Sequence, residues 1–588
     1  MHKEATIRKP LILGHKSYHD ITEDVCRPIE GKAHRMWYIL FTIATIIAIY
    51  GVGCILYLLG TGIGTWGLNK TINWGWDITN FVWWVGIGHA GTLISAVLLL
   101  FRQKWRMAIN RSAEAMTIFA VFMAGLFPLI HMGRLWLGYW VVPIPNHFGS
   151  LWPNFNSALL WDVFAISTYL SVSVVFWYIG LIPDFATIRD RAKTPVAKKM
   201  YSILSFGWSG KAKHWNRFEE VSLVLAGLAT PLVFSVHSIV SFDFATSVIP
   251  GWHSTIYPPY FVSGAVFSGF AMVITLLLVM RKAYGLEAYI TKKHLEYMNI
   301  VIIVTGGIVA VAYLTEFFMG WYSGDEYEAY AYMSWGAATG RYWWAFWALI
   351  FCNMVAPAFL WIKKVRTNFT ISWIIAIIIN IGMWFERFDI IVLDLHHDFL
   401  PSSWIMFYPS HVDIGIFLGT IGIFFVFFLL FTRYFPVLPI AELKTIVRGS
   451  GQSYKNETAI SPAYSLEQQN LAKTKPEVKL MYKGASTASP TKAKDTKSHT
   501  ESTIQKDDLK KIEGIGPKIQ EILNASGIIT FADLASTTSD KIRKILEDAN
   551  LKMHDPTTWP EQATLARDGK WEELQKWQDE LNGGKEDN

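Results

Sequence analysis

Residues 117–134 read TIFAVFMAGLFPLIHMGR. The run is apolar until it closes on a histidine and an arginine three positions apart. Taken from residue 113 to 132 it has the length and apolarity of a helix that crosses a bilayer. Working outward, nine further runs of the same kind lie at 37–58, 80–101, 158–182, 219–241, 260–280, 299–319, 342–361, 370–388 and 411–432. None alternates polar with apolar as a barrel strand does. A segment crossing lipid must close its own backbone hydrogen bonds, so each is expected to be a helix. The fold class is therefore all-α: a polytopic membrane protein of about ten transmembrane helices.

Composition agrees. Of 588 residues 52% are hydrophobic, and only 17% are charged, against about 25% in soluble domains. The charges are also sorted. The N-terminal segment and the loops after the even-numbered runs carry 26 lysines and arginines, and the other loops carry four, counting Arg387. The positive-inside rule then places both termini in the cytoplasm. The opposite loops, such as YWVVPIPNHFGSLWPNF and DLHHDFLPSSWIMFYPSHVD, are rich in Trp, Tyr, Pro and Gly. They read as ordered caps that another protein covers. No signal peptide is expected at the N-terminus.

The organisation is a polar segment at 1–36, a membrane domain at 37–440, a low-complexity linker at 441–505 and a small helical domain at 506–588. The linker is rich in Ser, Thr, Lys and Ala, as flexible linkers are. The last domain opens DDLKKIEGIGPKIQEILNASG, which resembles a helix-hairpin-helix unit with Gly514, Gly516 and Pro517 in its turn. Such a turn can present amides to phosphate. The domain holds 12 basic and 17 acidic residues, however, and a duplex-binding surface is basic. Protein docking or a plain structural use is expected, and no nucleic acid.

Cys26, Cys54 and Cys352 are too scattered for a zinc, iron-sulphur or c-type haem motif. The chemistry is expected from ionisable residues inside the spans, which are costly there and functional by default. His131 and Arg134 close span three, Asp162 lies one turn into span four, and His237 and Asp243 come near the end of span five. The alternating topology brings all five toward the outer face. His89 is deeper, in GIGHAG of span two, and Glu316, Glu386 and Asp413 mark outer ends of spans seven, nine and ten. A quinol gives up two protons and two electrons; a histidine can take one proton and a carboxylate the other. His131, Asp162 and Asp243 are the expected catalytic residues, with Arg134 and His237 beside the bound quinol. His89, Glu316, Glu386 and Asp413 are candidates for a proton path. Arg134 either orders the carboxylates or meets lipid headgroups. Few carriers are visible on the cytoplasmic half. No span holds two histidines, so no haem is expected in the chain.

The stretches GIGHAGTLISA, LFPLIHMGR with VVPIPN after it, and LLWDVFAISTYL resemble the polysulphide reductase (NrfD-type) integral membrane subunits. With ten spans the chain is similar to the larger branch that serves alternative complex III, a respiratory quinol:electron-acceptor oxidoreductase. The resemblance covers about residues 30–440. It implies menaquinol or a similar quinol as substrate, and a site made of His131, Asp162 and Asp243. It further implies that haems and iron-sulphur clusters are carried by partners. Those partners would be an iron-sulphur protein on the outer face, multihaem cytochromes c, a second NrfD-type membrane subunit and a terminal oxygen reductase. Other readings are a non-catalytic scaffold or proton-conducting subunit, and a secondary transporter with its polar cluster at the bilayer midplane.

Overall fold

The computed structural model describes residues 11–14, 16–141, 157–324, 330, 341–397, 399–447, 507–549, 551 and 555–578. Most of the 441–505 linker, and the loop stretches 142–156 and 331–340, lie outside the described residues. The chain forms two compact units, Met1–Val478 and Lys479–Asn588.

In the first unit, among the described residues, ten helices are long and apolar enough to cross a membrane. In chain order, spans one to ten are Arg35–Thr61, Trp76–Leu100, Asn110–His131, Ala158–Arg191, Ala212–Ala245, Tyr257–Ala283, Lys292–Ser323, Trp343–Trp361, Phe369–His396 and His411–Tyr434. The start of span one and the end of span ten share one face of the bundle, called here the terminal face. The opposite side is the far face.

Several helices overrun their apolar runs. Span four has 34 residues, or roughly 51 Å at 1.5 Å per residue, against about 30 Å of hydrocarbon. Hydropathy marks where lipid ends, whereas the helix continues for as long as its carbonyls find amides. Span five likewise reaches Ala245, and span nine continues to His396.

Spans two and six are the most enclosed, and spans one and seven the most lipid-exposed. Span two packs on spans three and six, and span one packs on span ten. These contacts need small residues, because lipid offers helices no hydrophobic reward for associating. A Cβ added at Gly51 of span one would stand 2.2 Å from the Gly419 Cα of span ten. One added at Gly91 of span two would stand 2.1 Å from the Ala113 carbonyl oxygen of span three.

Three spans contain a π-helical turn: Leu93–Val97 in span two, Phe351–Val355 in span eight and Asp389–Leu393 in span nine. On the terminal face the amphipathic helix Tyr18–Glu30 starts at a capping box formed by Ser17 and Asp20. It is held by Arg191, which bonds Glu30 at 2.6 Å, and by Arg433, which donates to the Pro28 carbonyl. After span ten a short helix, Ile440–Thr445, packs back on this face.

The second unit is a small all-helical domain. Its helices Pro517–Ala525, Phe531–Ser536, Ser539–Asp548, Trp559–Arg567 and Trp571–Gln578 enclose Leu509, Ile512, Leu523, Leu534, Ile542 and Trp559. Gly514 takes a φ of +93° at the turn before the first of these helices, where a side chain would be strained.

Candidate functional site

Span three ends at His131 because Gly133 adopts a φ of +64°, the left-handed stop favoured by glycine. A Cβ there would also collide with Ile63 at 2.7 Å. The stop leaves His131 on the last helical turn at the far face, about one-quarter exposed. Its Nδ1 donates to Asp77 Oδ2, on the first turn of span two. Asp77 is buried, and its second oxygen accepts the Gly75 amide at 2.9 Å. Trp66 lies nearly parallel to the imidazole, 6.1 Å away. With Nδ1 committed to Asp77, the neutral ring presents Nε2 as an acceptor. Asp77 is a member of this site that does not stand out in the sequence. It lies where an acidic helix start is ordinary, and only its contact with His131 distinguishes it.

Asp162 and Asp243 come together. Span four begins and span five ends at the far face, so their terminal turns lie side by side and the two carboxyl groups hydrogen-bond to each other. Such a bond needs one proton between the two groups. Beside Asp162, Val163 and Phe164 open to the lipid side. Among the described residues no hydrogen bond or ion pair links His131 to either aspartate; the far face carries two separate acidic pairings. Arg134 lies beyond the helix stop, exposed, with its guanidinium 5.6 Å from the Trp136 ring. Among the described residues no hydrogen bond or ion pair links it to either pair.

His237 lies deeper than the sequence suggested. Six residues before Asp243, it is roughly 9 Å further in along the helix. It is fully buried, and its Nδ1 is 3.1 Å from His89 Nε2. The expectation that His89 alone is deep is thereby corrected. The apolar run ends at residue 241, but the helix extends to Ala245 and carries His237 inward. His89 Nδ1 donates to the Val85 carbonyl at 2.9 Å. A neutral His89 therefore accepts at Nε2, His237 donates from Nδ1, and His237 Nε2 has no hydrogen-bond partner among the described residues.

A polar column continues from this pair toward the terminal face. Tyr169 stacks on His89 at 5.1 Å, and its hydroxyl is 2.9 Å from both the Gly88 carbonyl and Thr92 Oγ1. Thr92 meets Ser173 at 3.2 Å. Buried Ser95 stands next to Glu114. Glu114 pairs with Arg111 at 3.2 Å, and Arg111 pairs with Asp184 at 3.1 Å. Arg106 and Asn110 hold Glu442 at 3.1 and 3.3 Å. The terminal half of the bundle is therefore better supplied with polar groups than the sequence suggested. In one dimension Arg111, Glu114 and Asp184 look like loop charges at the edges of apolar runs.

The remaining candidates divide. Glu386 is buried among spans seven, eight and nine: it accepts from the Tyr313 hydroxyl and from Asn353 at 3.4 Å. Arg387 Nη1 lies 2.7 Å from the Glu386 carboxylate, out of hydrogen-bond alignment, and the guanidinium sits 4.4 Å over Phe261. Asp389, on the π turn, is buried with neither oxygen bonded. Glu316 is half-buried on span seven and feels Tyr260. Asp413 caps span ten, its Oδ2 accepting the Gly67 and Ser410 amides at 2.9 and 2.8 Å. Among the described residues no three His, Cys, Asp or Glu side chains converge as a metal site.

Residues 64–394 match the family described as polysulphide reductase, NrfD. Residues 509–567 match the helix-hairpin-helix domain of the RS2/RL21/YNQ2 type. The chain is 26% identical over 250 residues to a putative membrane subunit of dimethyl sulfoxide reductase from Halobacterium salinarum, covering 42% of this chain and 52% of that one. Thus it spans only about half the length of that relative. It is 21% identical over 447 residues to an Hdr-like menaquinol oxidoreductase integral membrane subunit of Archaeoglobus fulgidus, covering 72% of this chain and 98% of that one. A separate stretch of 45 residues is 51% identical to the large ribosomal subunit protein bL21 of Hyphomonas neptunium, covering 8% of this chain and 22% of that one.

Proposed function

The chain belongs to the polysulphide reductase NrfD family, whose match spans more than half of it, and from that premise we propose that it handles quinol in a respiratory oxidoreductase. Its part would be that of the quinol-oxidising NrfD-type subunit of an alternative complex III. The far face would be the outer face of a bacterial inner membrane, with both termini in the cytoplasm.

A menaquinol or similar quinol enters from the lipid beside span four. Oxidation to the quinone releases two protons and two electrons. His131 takes one proton on Nε2, while buried Asp77 steadies the imidazolium that forms. The Asp162–Asp243 pair, which shares one proton, takes the second. Electrons leave to an iron-sulphur partner docked on the outer loops and pass on to cytochromes c and an oxygen reductase. A second NrfD-type subunit sits alongside. The observation that carries this reading is the pair of proton-accepting groups at one end of the bundle, one of them next to a lipid-exposed flank. Among relatives, the Archaeoglobus subunit named as a menaquinol oxidoreductase lends support.

Menaquinol oxidation by the purified assembly tests it. Asp162→Asn and His131→Leu are each expected to lower turnover by about 10²-fold or more. Wild-type turnover in both, with the assembly intact, would overturn the reading.

The buried column from His237 to Glu114 favours a coupled role in proton transfer toward the terminal face. His89→Leu is expected to weaken proton uptake while leaving quinol binding in place. The acidic balance of the C-terminal domain favours a protein partner over nucleic acid.

A further inference from the structure

At the terminal face a cavity of about 590 Å³ opens between the end of span four, the start of span five and the helix after span ten, whose Ala441 amide donates to Asp184 at 3.2 Å. Its depth follows from span length. Span four is roughly 20 Å longer than the hydrocarbon layer, so its last two turns emerge at headgroup level. Trp208 and Trp215 stand on the wall, as aromatics do at that depth.

The wall carries charges of both signs. Lys444 lines it half-buried, and its ammonium forms no hydrogen bond or ion pair among the described residues. Burial pulls that ammonium below the usual lysine range and Asp184 offsets the effect only in part, so a further anion alongside would be favoured. Arg189 is fixed from behind: Nε meets Asp190 at 2.8 Å, and Nη1 meets Ser205 Oγ and the Trp208 carbonyl, both at 3.2 Å. Its Nη2 makes no hydrogen bond among the described residues, so the held fork keeps one donor unused. Asp190 and Glu219 are exposed on the same wall, so its two cations face two carboxylates.

We propose that this cavity binds the headgroup of a zwitterionic, amine-bearing glycerophospholipid. The phosphate would lie between Lys444 Nζ and Arg189 Nη2, and the ammonium would face Asp190 and Glu219 near the tryptophans. Two unused donors match one phosphate, and Glu219 beside the Arg189-bonded Asp190 matches one ammonium, which a purely anionic headgroup would leave unanswered. The acyl chains follow the lipid-exposed side of span five, where Val221 and Val224 are bare.

The test uses the full chain in detergent and in nanodiscs of phosphatidylethanolamine and phosphatidylglycerol, with bound lipid read by native mass spectrometry. Wild type is expected to keep one phosphatidylethanolamine through washing. Lys444→Gln is expected to lower retention about fivefold, near 1 kcal/mol. Lys282→Gln, which alters an exposed cation on the same face but outside the cavity, should retain it. Glu219→Gln should erase the preference for phosphatidylethanolamine over phosphatidylglycerol. Equal retention in wild type and Lys444→Gln would overturn the proposal, as would equal retention of the two lipids by wild type. Displacement of the lipid by millimolar inorganic phosphate would assign the site to free phosphate and would also overturn it.

Discussion

Arg111, Glu114 and Asp184 form a buried set whose members neutralise one another, and removing one member should show what the set does. Arg111 is fully buried between Glu114 and Asp184 and also donates to the Gly180 carbonyl at 2.7 Å. Arg111→Met strands two carboxylates. A loss of about 3–5 kcal/mol is expected, read as a lower melting temperature of the detergent-solubilised chain. Asp77 is different, because its partner remains partly exposed. Asp77→Asn keeps the shape but releases the imidazole from one orientation. Menaquinol turnover should drop at least about tenfold with little change in melting; a drop matched by unfolding would assign Asp77 to stability alone. His131, Asp162 and Asp243 are legible in the sequence because ionisable groups stand out inside apolar runs. Asp77, Glu114 and Asp184 are not, since a charge at a run's edge looks the same whether it faces water or a buried partner. Their roles exist only in the pairing of helices.

Elements are legible according to what ends them. The ten spans follow from hydropathy, and the end of span three follows from Gly133. The overruns of spans four, five and nine do not, because nothing polar in a sequence forbids a helix from continuing. One such boundary, at the end of span five, is what makes His237 look closer to the surface than it is. Packing between elements can be tested at Gly51, where the backbones of spans one and ten nearly touch. Gly51→Val should prevent that approach and lower the melting temperature, whereas Gly53→Val on the same helix meets nothing within 4 Å and should be tolerated. In the C-terminal unit, the helix Phe531–Ser536 starts at a capping box in which Asp533 accepts from the Thr530 hydroxyl at 2.8 Å and amide at 2.9 Å. These bonds hold the Asp533 carboxyl below the ordinary aspartate range. A depressed acid adds stability that is present above the unfolded-state value near 3.9 and is lost as pH falls through the lower folded value. Asp533→Asn should flatten that part of an acid titration followed by circular dichroism.

For the molecule as a whole, the polar groups are arranged from one face to the other around the enclosed span two, and the lipid-facing helices carry few of them. Sequence patterning signals the far-face end of this arrangement and misses most of the terminal half, where hydroxyls from spans two and four adjoin the buried charges Arg111, Glu114 and Asp184. The C-terminal unit has its own core with Trp559 at its centre. Residues 506–588 expressed alone should therefore melt cooperatively, and Trp559→Ala should cost about 3–5 kcal/mol. Failure of the isolated segment to fold would show that it depends on the membrane unit.

The near-contact of Gly51 with Gly419 has a consequence for how the protein is made. Span one leaves the ribosome first and span ten last, with roughly 370 residues between the two glycines. At about 5–20 residues per second, span one waits roughly 20–70 s for its partner. During that time its glycine face is open to other helices in the membrane. A nascent chain stopped after span nine, with the Gly51 face still uncovered, should therefore be a better substrate for membrane proteases than the full chain.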